Sequence, residues 1–200
     1  MQRKRIIGVD FDDVLMDFSP TLYTYHNMCA GTSFERKHAI SFNLWEVWGG
    51  TPEQAKQRVL DFYETEIHWE APPVEDSQFG IALLKKNHSL VIITSRPIEH
   101  ESKVKSWLDR HFPNLFDHVF FTNLFHGENK KILKSEACKS LNVDVFIDDH
   151  IENTLDVAEN GTDAFLFDSP WNQNFPKHPK ITRVHGWKDI VSRLAPDMKN

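Results

Sequence analysis

Apolar and polar positions along the chain switch between two periods, and the switches mark its elements. Short runs rich in β-branched residues lie at 6–9, 89–95, 118–122, 143–147 and 164–167. They do not alternate with polar residues, so each reads as a strand buried on both faces, the pattern of a parallel sheet. Helical spacing recurs at 14–25, 51–65, 75–86, 98–111, 130–141, 151–159 and 187–194. Thr51-Pro52 is a helix start with an N-cap and a proline at the first helical position. Asn160-Gly161 is a helix stop, and Gly127 opens the loop into the lysine-rich helix at 130–141. Strands alternating with helices predict an α/β domain with a doubly wound parallel sheet.

The stretch 26–78 departs from this alternation. It has no strand-like run but is dense in aromatics, and Ala71-Pro72-Pro73 closes it. It reads as a small helical insertion. Trp45 and Trp48, three apart, share a helix face; they either pack or form an aromatic lid over a planar ligand. Phe18 reads by default as a core aromatic, with a place in a pocket above the carboxylates as the alternative. The polar, proline-rich stretch 172–182 reads as a tail before the last helix.

The polar residues that end the strands carry the candidate chemistry. The first strand ends in Asp10, Asp12 and Asp13, and the fourth in Asp148-Asp149. The second ends in Thr94-Ser95-Arg96. In an open parallel sheet all these ends lie on one edge, where ligands bind. Paired carboxylates repel unless a cation lies between them or one takes a proton, so they suit an oxygen-ligated divalent ion or a nucleophile beside an acid–base group. Alone, Asp10-Phe11-Asp12 is equally an acidic turn capping the next helix. Thr94, Ser95 and Arg96 suit a phosphate or a helix cap. Four such parts in this order, with a lysine-bearing helix before the last pair, fit phosphoryl transfer.

Composition narrows the field. Two hundred residues, 15 Phe and 6 Trp provide one large core with a modest insertion. A net charge of −6 without a basic stripe counts against a nucleic-acid polymer as partner. No run is long enough for a membrane span, and the start lacks the pattern of a secretory signal. Two cysteines without ligand spacing read as reduced thiols of a cytoplasmic protein.

The order Asp-x-Asp, strand-Thr/Ser, Lys, Asp-Asp resembles the haloacid dehalogenase superfamily of phosphohydrolases. Residues 10–18, 92–97, 146–150, 166–172 and 184–187 are similar to its 5′(3′)-deoxyribonucleotidase branch. The likeness spans nearly the whole chain but is loose over 26–78. It implies a Rossmann-like core at 1–17 and 78–200, a helical cap at 18–77, and Mg²⁺-dependent hydrolysis of a nucleoside monophosphate. A sugar phosphate or other small phosphometabolite is the alternative substrate, a non-catalytic phosphate-ligand-binding module on the same scaffold is the second alternative, and a homodimer is left open. It implies Asp10 as nucleophile, Asp12 as acid–base and, through its carbonyl, metal ligand, and Thr94 and Lys134 on the phosphoryl oxygens. Lys130 and Lys131 compete with Lys134 for that place. Asp10, Asp148 and Asp149 complete the metal site, and Phe11, Phe18, Leu44, Trp45, Ser95 and Arg96 form the substrate side. Asp13 stands where the family often has glycine.

Overall fold

A computed structural model describes residues 3–125 and 129–195; the expected loop-opening residue Gly127 lies outside them. The six strands are β1 (Ile6–Val9), β2 (Ser89–Thr94), β3 (His118–Phe121), β4 (Val145–Asp148), β5 (Asp163–Phe167) and β6 (Ile181–Val184). They form one sheet in the order β3-β2-β1-β4-β5-β6, every pair parallel. The order reverses between β1 and β4, and their carboxyl ends flank the switch point where such sheets bind ligands.

The helices are α1 (Phe18–Ala30), α2 (Leu44–Trp48), α3 (Pro52–Tyr63), α4 (Glu66–Trp69), α5 (Ser77–Lys85), α6 (Glu101–His111), α7 (Lys134–Ser140), α8 (Ile151–Glu159) and α9 (Trp187–Leu194). Ile7, Val9, Leu90 and Ile92 face one core with Ile81 of α5, Trp107 of α6 and Trp187 of α9. Val91, Ile93 and Phe146 face a second with Ala137 of α7 and Val157 of α8. Each strand is therefore apolar on both faces, as its unbroken run requires. A third, separate core joins Leu22 of α1 with Val59, Phe62 and Tyr63 of α3.

Three elements differ from expectation. The first helix starts at Phe18, beside the Ser19-Pro20 start signal within the 14–25 stretch of helical spacing, and not at Val14. Residues 14–16 are fully buried in the sheet core, the N–H groups of Leu15 and Met16 both reach the Phe11 carbonyl, and the Val14 and Leu15 carbonyls serve Trp187 and Val74. Helix α7 begins at Lys134, four residues late, because Ile132 N–H is tied to the Thr122 carbonyl and Leu133 is extended. Strand β6 falls within and just beyond the supposed tail. Of its residues only Ile181 and Val184 are buried, too little apolar signal to read as a strand.

Candidate active site

Three strand ends build the site from below. Asp10 follows β1, its N–H bonded to the Ile147 carbonyl at 2.8 Å, so it sits beside the end of β4. Asp148 is the last residue of β4 and Asp149 follows it. The turn into α8 locks Asp148: His150 N–H donates to Oδ1 at 2.7 Å and Asn153 Nδ2 to Oδ2 at 3.1 Å. Asp149 is held by Trp171 Nε1 at 2.8 Å. Asp10, Asp148 and Asp149 offer one oxygen each within 4.8 Å of one another, all three buried.

Among the described residues one cation pairs with them. Lys134, at the first turn of α7, places Nζ 2.8 Å from Asp10 Oδ1 and 2.6 Å from Asp148 Oδ2. Lys130 and Lys131 are exposed to solvent. Burial pushes the Asp10 carboxyl up to about 7 against the opposing pull of Lys134, and burial raises Asp149 as well, with Asp148 adding to it. The same carboxylates hold the Lys134 ammonium above the usual lysine range despite its burial. Three buried carboxyl groups sharing one ammonium are short of positive charge. That is the charge state of a divalent-cation site with oxygen ligands.

Above the acids lies a cavity of about 750 Å³. The helices α1–α3 supply its far wall, including Phe18, Leu44 and Trp45, three residues expected on the substrate side. The two tryptophans of α2 part company. Trp45 lines the cavity, whereas Trp48 stacks on His26 at 4.2 Å between ring centres. Tyr23, Asn43, Lys56 and Tyr63 also line the cavity. The sequence pattern did not single them out, because an isolated polar or aromatic residue in a helix has no periodicity of its own.

Four expected residues make contacts that the sequence did not show. Phe11 is fully buried with its ring edge-on to Trp107 at 5.1 Å, so its side chain belongs to the core and not the cavity wall. Thr94 is fully buried and its Oγ1 accepts the Arg96 N–H at 3.2 Å; it is Ser95 that lines the cavity. The Arg96 guanidinium borders the cavity but is committed to Asp12, donating from Nε to Oδ2 at 2.9 Å and from NH2 to Oδ1 at 2.6 Å. Asp12 therefore turns its carboxylate to Arg96 and away from the Asp10–Asp148–Asp149 cluster.

Asp13 explains itself. Its φ of +56° lies in the left-handed region, where glycine is the default and aspartate is tolerated. The buried carboxylate takes Ser19 N–H at 2.9 Å and Ser19 Oγ at 2.5 Å. Arg36, from the insertion, reaches it at 3.4 Å, Asp17 at 3.2 Å and Ser169 Oγ at 3.2 Å, and lies over the Trp171 ring at 5.1 Å. Arg36 thus ties the insertion to the core beside Asp149. Arg36→Met and Asp13→Asn are expected to be non-additive in thermal unfolding. With Arg36 partly exposed, the coupling in a double-mutant cycle is on the order of 0.5–1 kcal/mol; a coupling of zero would mean that the contact is incidental.

Comparisons with known proteins show the family and the fold. Residues 4–195 match the family described as 5′ nucleotidase, deoxy (pyrimidine), cytosolic type C protein. The Bacillus subtilis protein YqfW, whose name marks it as a nucleotidase candidate, is 28% identical over 186 residues, 92% of this chain and 91% of its own. Nucleotidase CA_C3379 of Clostridium acetobutylicum is 24% identical over 94% of each chain. Among solved structures, the haloacid dehalogenase-like hydrolase SP0104 of Streptococcus pneumoniae superposes with a TM-score of 0.67 at 15% identity, covering 95% of this chain and 98% of its own. The HAD-hydrolase YfnB of Bacillus subtilis, solved bound to magnesium, superposes with a TM-score of 0.64 at 14% identity, covering 96% and 99%. Among the described residues no helix is long and apolar enough to cross a membrane.

Proposed function

The chain belongs to the cytosolic type C 5′ nucleotidase family, a branch of the haloacid dehalogenase phosphohydrolases, and from that premise we propose that it is a magnesium-dependent phosphatase of nucleoside monophosphates working through an aspartyl-phosphate. The observation that carries the reading is Asp10: a buried carboxylate, held by Lys134, at the floor of a cavity whose opposite wall is aromatic.

Asp10 attacks the phosphorus with the oxygen that Lys134 leaves free. A bond from Asp10 Oδ to phosphorus forms as the bond to the sugar oxygen breaks, and Asp12 gives that oxygen its proton. Water then attacks the phosphorus, Asp12 takes the water's proton, and the bond to Asp10 breaks to release inorganic phosphate. Lys134 opposes the protonation of Asp10 that burial favours, and so favours the carboxylate needed for the first step. Thr94 and Ser95, at the end of β2, mark the side from which phosphoryl oxygens are held. Asp10, Asp148 and Asp149 fit Mg²⁺ by their chemistry, hard oxygen donors with surplus negative charge. The ion supplies the missing positive charge for the carboxylates and the phosphoryl group.

We take 18–77 as the cap, with Phe18, Leu44 and Trp45 as the platform for the base. A polymer end would have to pass beneath this insertion, which favours a free nucleotide. The two unbridged thiols, Cys29 exposed and Cys138 buried, fit a cytoplasmic setting.

The test is phosphate release from a panel of 5′- and 3′-(deoxy)nucleotides and sugar phosphates, with Mg²⁺ and with EDTA. Metal-dependent turnover of nucleotides is expected. Turnover confined to sugar phosphates would keep the chemistry and discard the base platform. Trp45→Ala is expected to raise KM for nucleotides about 5- to 100-fold, the worth of one stacked base, and to leave inhibition by inorganic phosphate unchanged. An unchanged KM would remove Trp45 from the platform.

A further inference from the structure

Arg96 is a core residue whose surroundings belong mostly to the cap. It is 1% exposed. The rings of Phe11, Phe18, Tyr63 and Trp69 surround its guanidinium, with centroids 4.9, 5.7, 5.2 and 5.0 Å from Cζ. Three of these belong to α1, α3 and α4. NH2 also lies 2.8 Å from Nε2 of His68 in α4, so the imidazole accepts there and is neutral. Burial together with the neighbouring guanidinium depresses the His68 pKa in the same sense. Among the described residues Asp12 is the one carboxylate that pairs with Arg96, and it is bound at both oxygens.

Such a fork orients its partner. Two parallel N–H···O bonds fix the plane of a carboxylate, which a single point charge cannot do. A carboxylate has about four lone-pair positions, so two stay free for a proton from water. The box of rings fixes the guanidinium in turn, and most of the box is cap. The orientation of Asp12 is thereby made to depend on how α1, α3 and α4 sit on the core.

We propose that Arg96 is a positioning residue that couples the seating of the cap to the acid–base carboxylate Asp12, with His68 as the cap's hold on Arg96. This rests on the phosphatase reading above and deepens it. Arg96 neither holds the phosphoryl group nor exchanges a proton; it sets where Asp12 can do so.

The leaving group separates this role from general damage. 4-Nitrophenolate departs without needing a proton, so formation of the aspartyl-phosphate from 4-nitrophenyl phosphate does not call on Asp12. Its hydrolysis by water does. In rapid-mixing experiments with Mg²⁺, Arg96→Lys is expected to release the first equivalent of nitrophenolate within about twofold of the wild-type rate. The following steady-state phase is expected to fall about 10- to 100-fold, the cost of a misplaced catalytic group. Inhibition by inorganic phosphate stays within about twofold. His68→Phe keeps the ring but loses the acceptor and is expected to slow the same phase less; His68→Gln retains an acceptor and restores part of it. These two variants decide the matter if Arg96→Lys does not fold.

Equal slowing of both phases, an unchanged steady state, or phosphate inhibition weakened in parallel would each overturn the proposal. A wild-type protein that releases no nitrophenolate, or an Asp10→Asn variant as fast as wild type, would instead overturn the phosphatase reading and this proposal with it.

Discussion

Asp10→Asn is expected to abolish phosphate release, by about 10⁴-fold or more, because in the proposed reaction Asp10 is the group that forms the covalent intermediate. The fold is expected to survive. Asp10 is buried beside Asp148 and Asp149, and its carboxyl is pushed from 3.8 to about 7 by that burial. A carboxyl whose pKa is higher folded than unfolded stabilises the fold while protonated. That contribution is complete below about 4 and lost as pH rises through about 7. Without divalent cation, Asp10→Asn should therefore become more stable relative to wild type as pH rises from 4 to 8. Mg²⁺ reverses the order at pH 8, since only the wild type keeps the full ligand set. Thermal unfolding in EDTA and in Mg²⁺ at both pH values, beside the turnover assay, reads both effects. A variant that melts far below wild type under every condition would make Asp10 a structural residue first.

Lys134→Met carries the largest expected loss of stability. Lys134 is 1% exposed, and among the described residues it is the one cation within ion-pair reach of Asp10 and Asp148. Methionine fills the space but leaves the carboxyl groups uncompensated. Breaking a buried pair in this way costs about 3–5 kcal/mol, or roughly 10 °C of Tm for a chain of this size. Turnover should drop at least about a hundredfold, as when one preorganised charge is removed from a reacting centre. Asp10→Asn added to Lys134→Met is expected to recover stability by relieving the repulsion, and Mg²⁺ should stabilise Lys134→Met more than it does wild type. A Lys134→Met protein as stable as wild type in EDTA would show that the carboxyl groups do not need the ammonium.

The site was legible from the sequence as far as strand ends could place it. Asp10, Lys134, Asp148 and Asp149 lie together because each sits at or beside the carboxyl edge of a parallel sheet, or opens a helix packed on it. Phe18, Leu44 and Trp45 line the cavity, though spacing alone left them open to a packing reading. Phe11 failed for a local reason. It shares the Asp-x-Asp turn, but its neighbours on either side face the other way, and its ring falls into the core against Trp107. Arg96 borders the cavity as expected, but its partner was not legible: a guanidinium at a strand end suits phosphate as well as carboxylate, and Asp12 is 84 residues away.

Periodicity and chain order alone thus indicated the parallel α/β sheet, the helical insertion after its first strand and the acidic carboxyl edge of the sheet. Those features depend on which face a residue takes and where an apolar run stops, which are local properties of sequence. Tertiary structure alone decided what the long cations reach. Lys134 bridges Asp10 and Asp148, Arg36 spans Asp13 and Ser169, and Arg96 clasps Asp12 inside a box of cap aromatics. It also recruited β6, whose two buried residues are stable as a strand only because β5 is there to pair with them. A flexible charged side chain, like a short edge strand, takes its partner from the whole fold, since the free energy of the contact depends on burial and neighbours that no local pattern encodes.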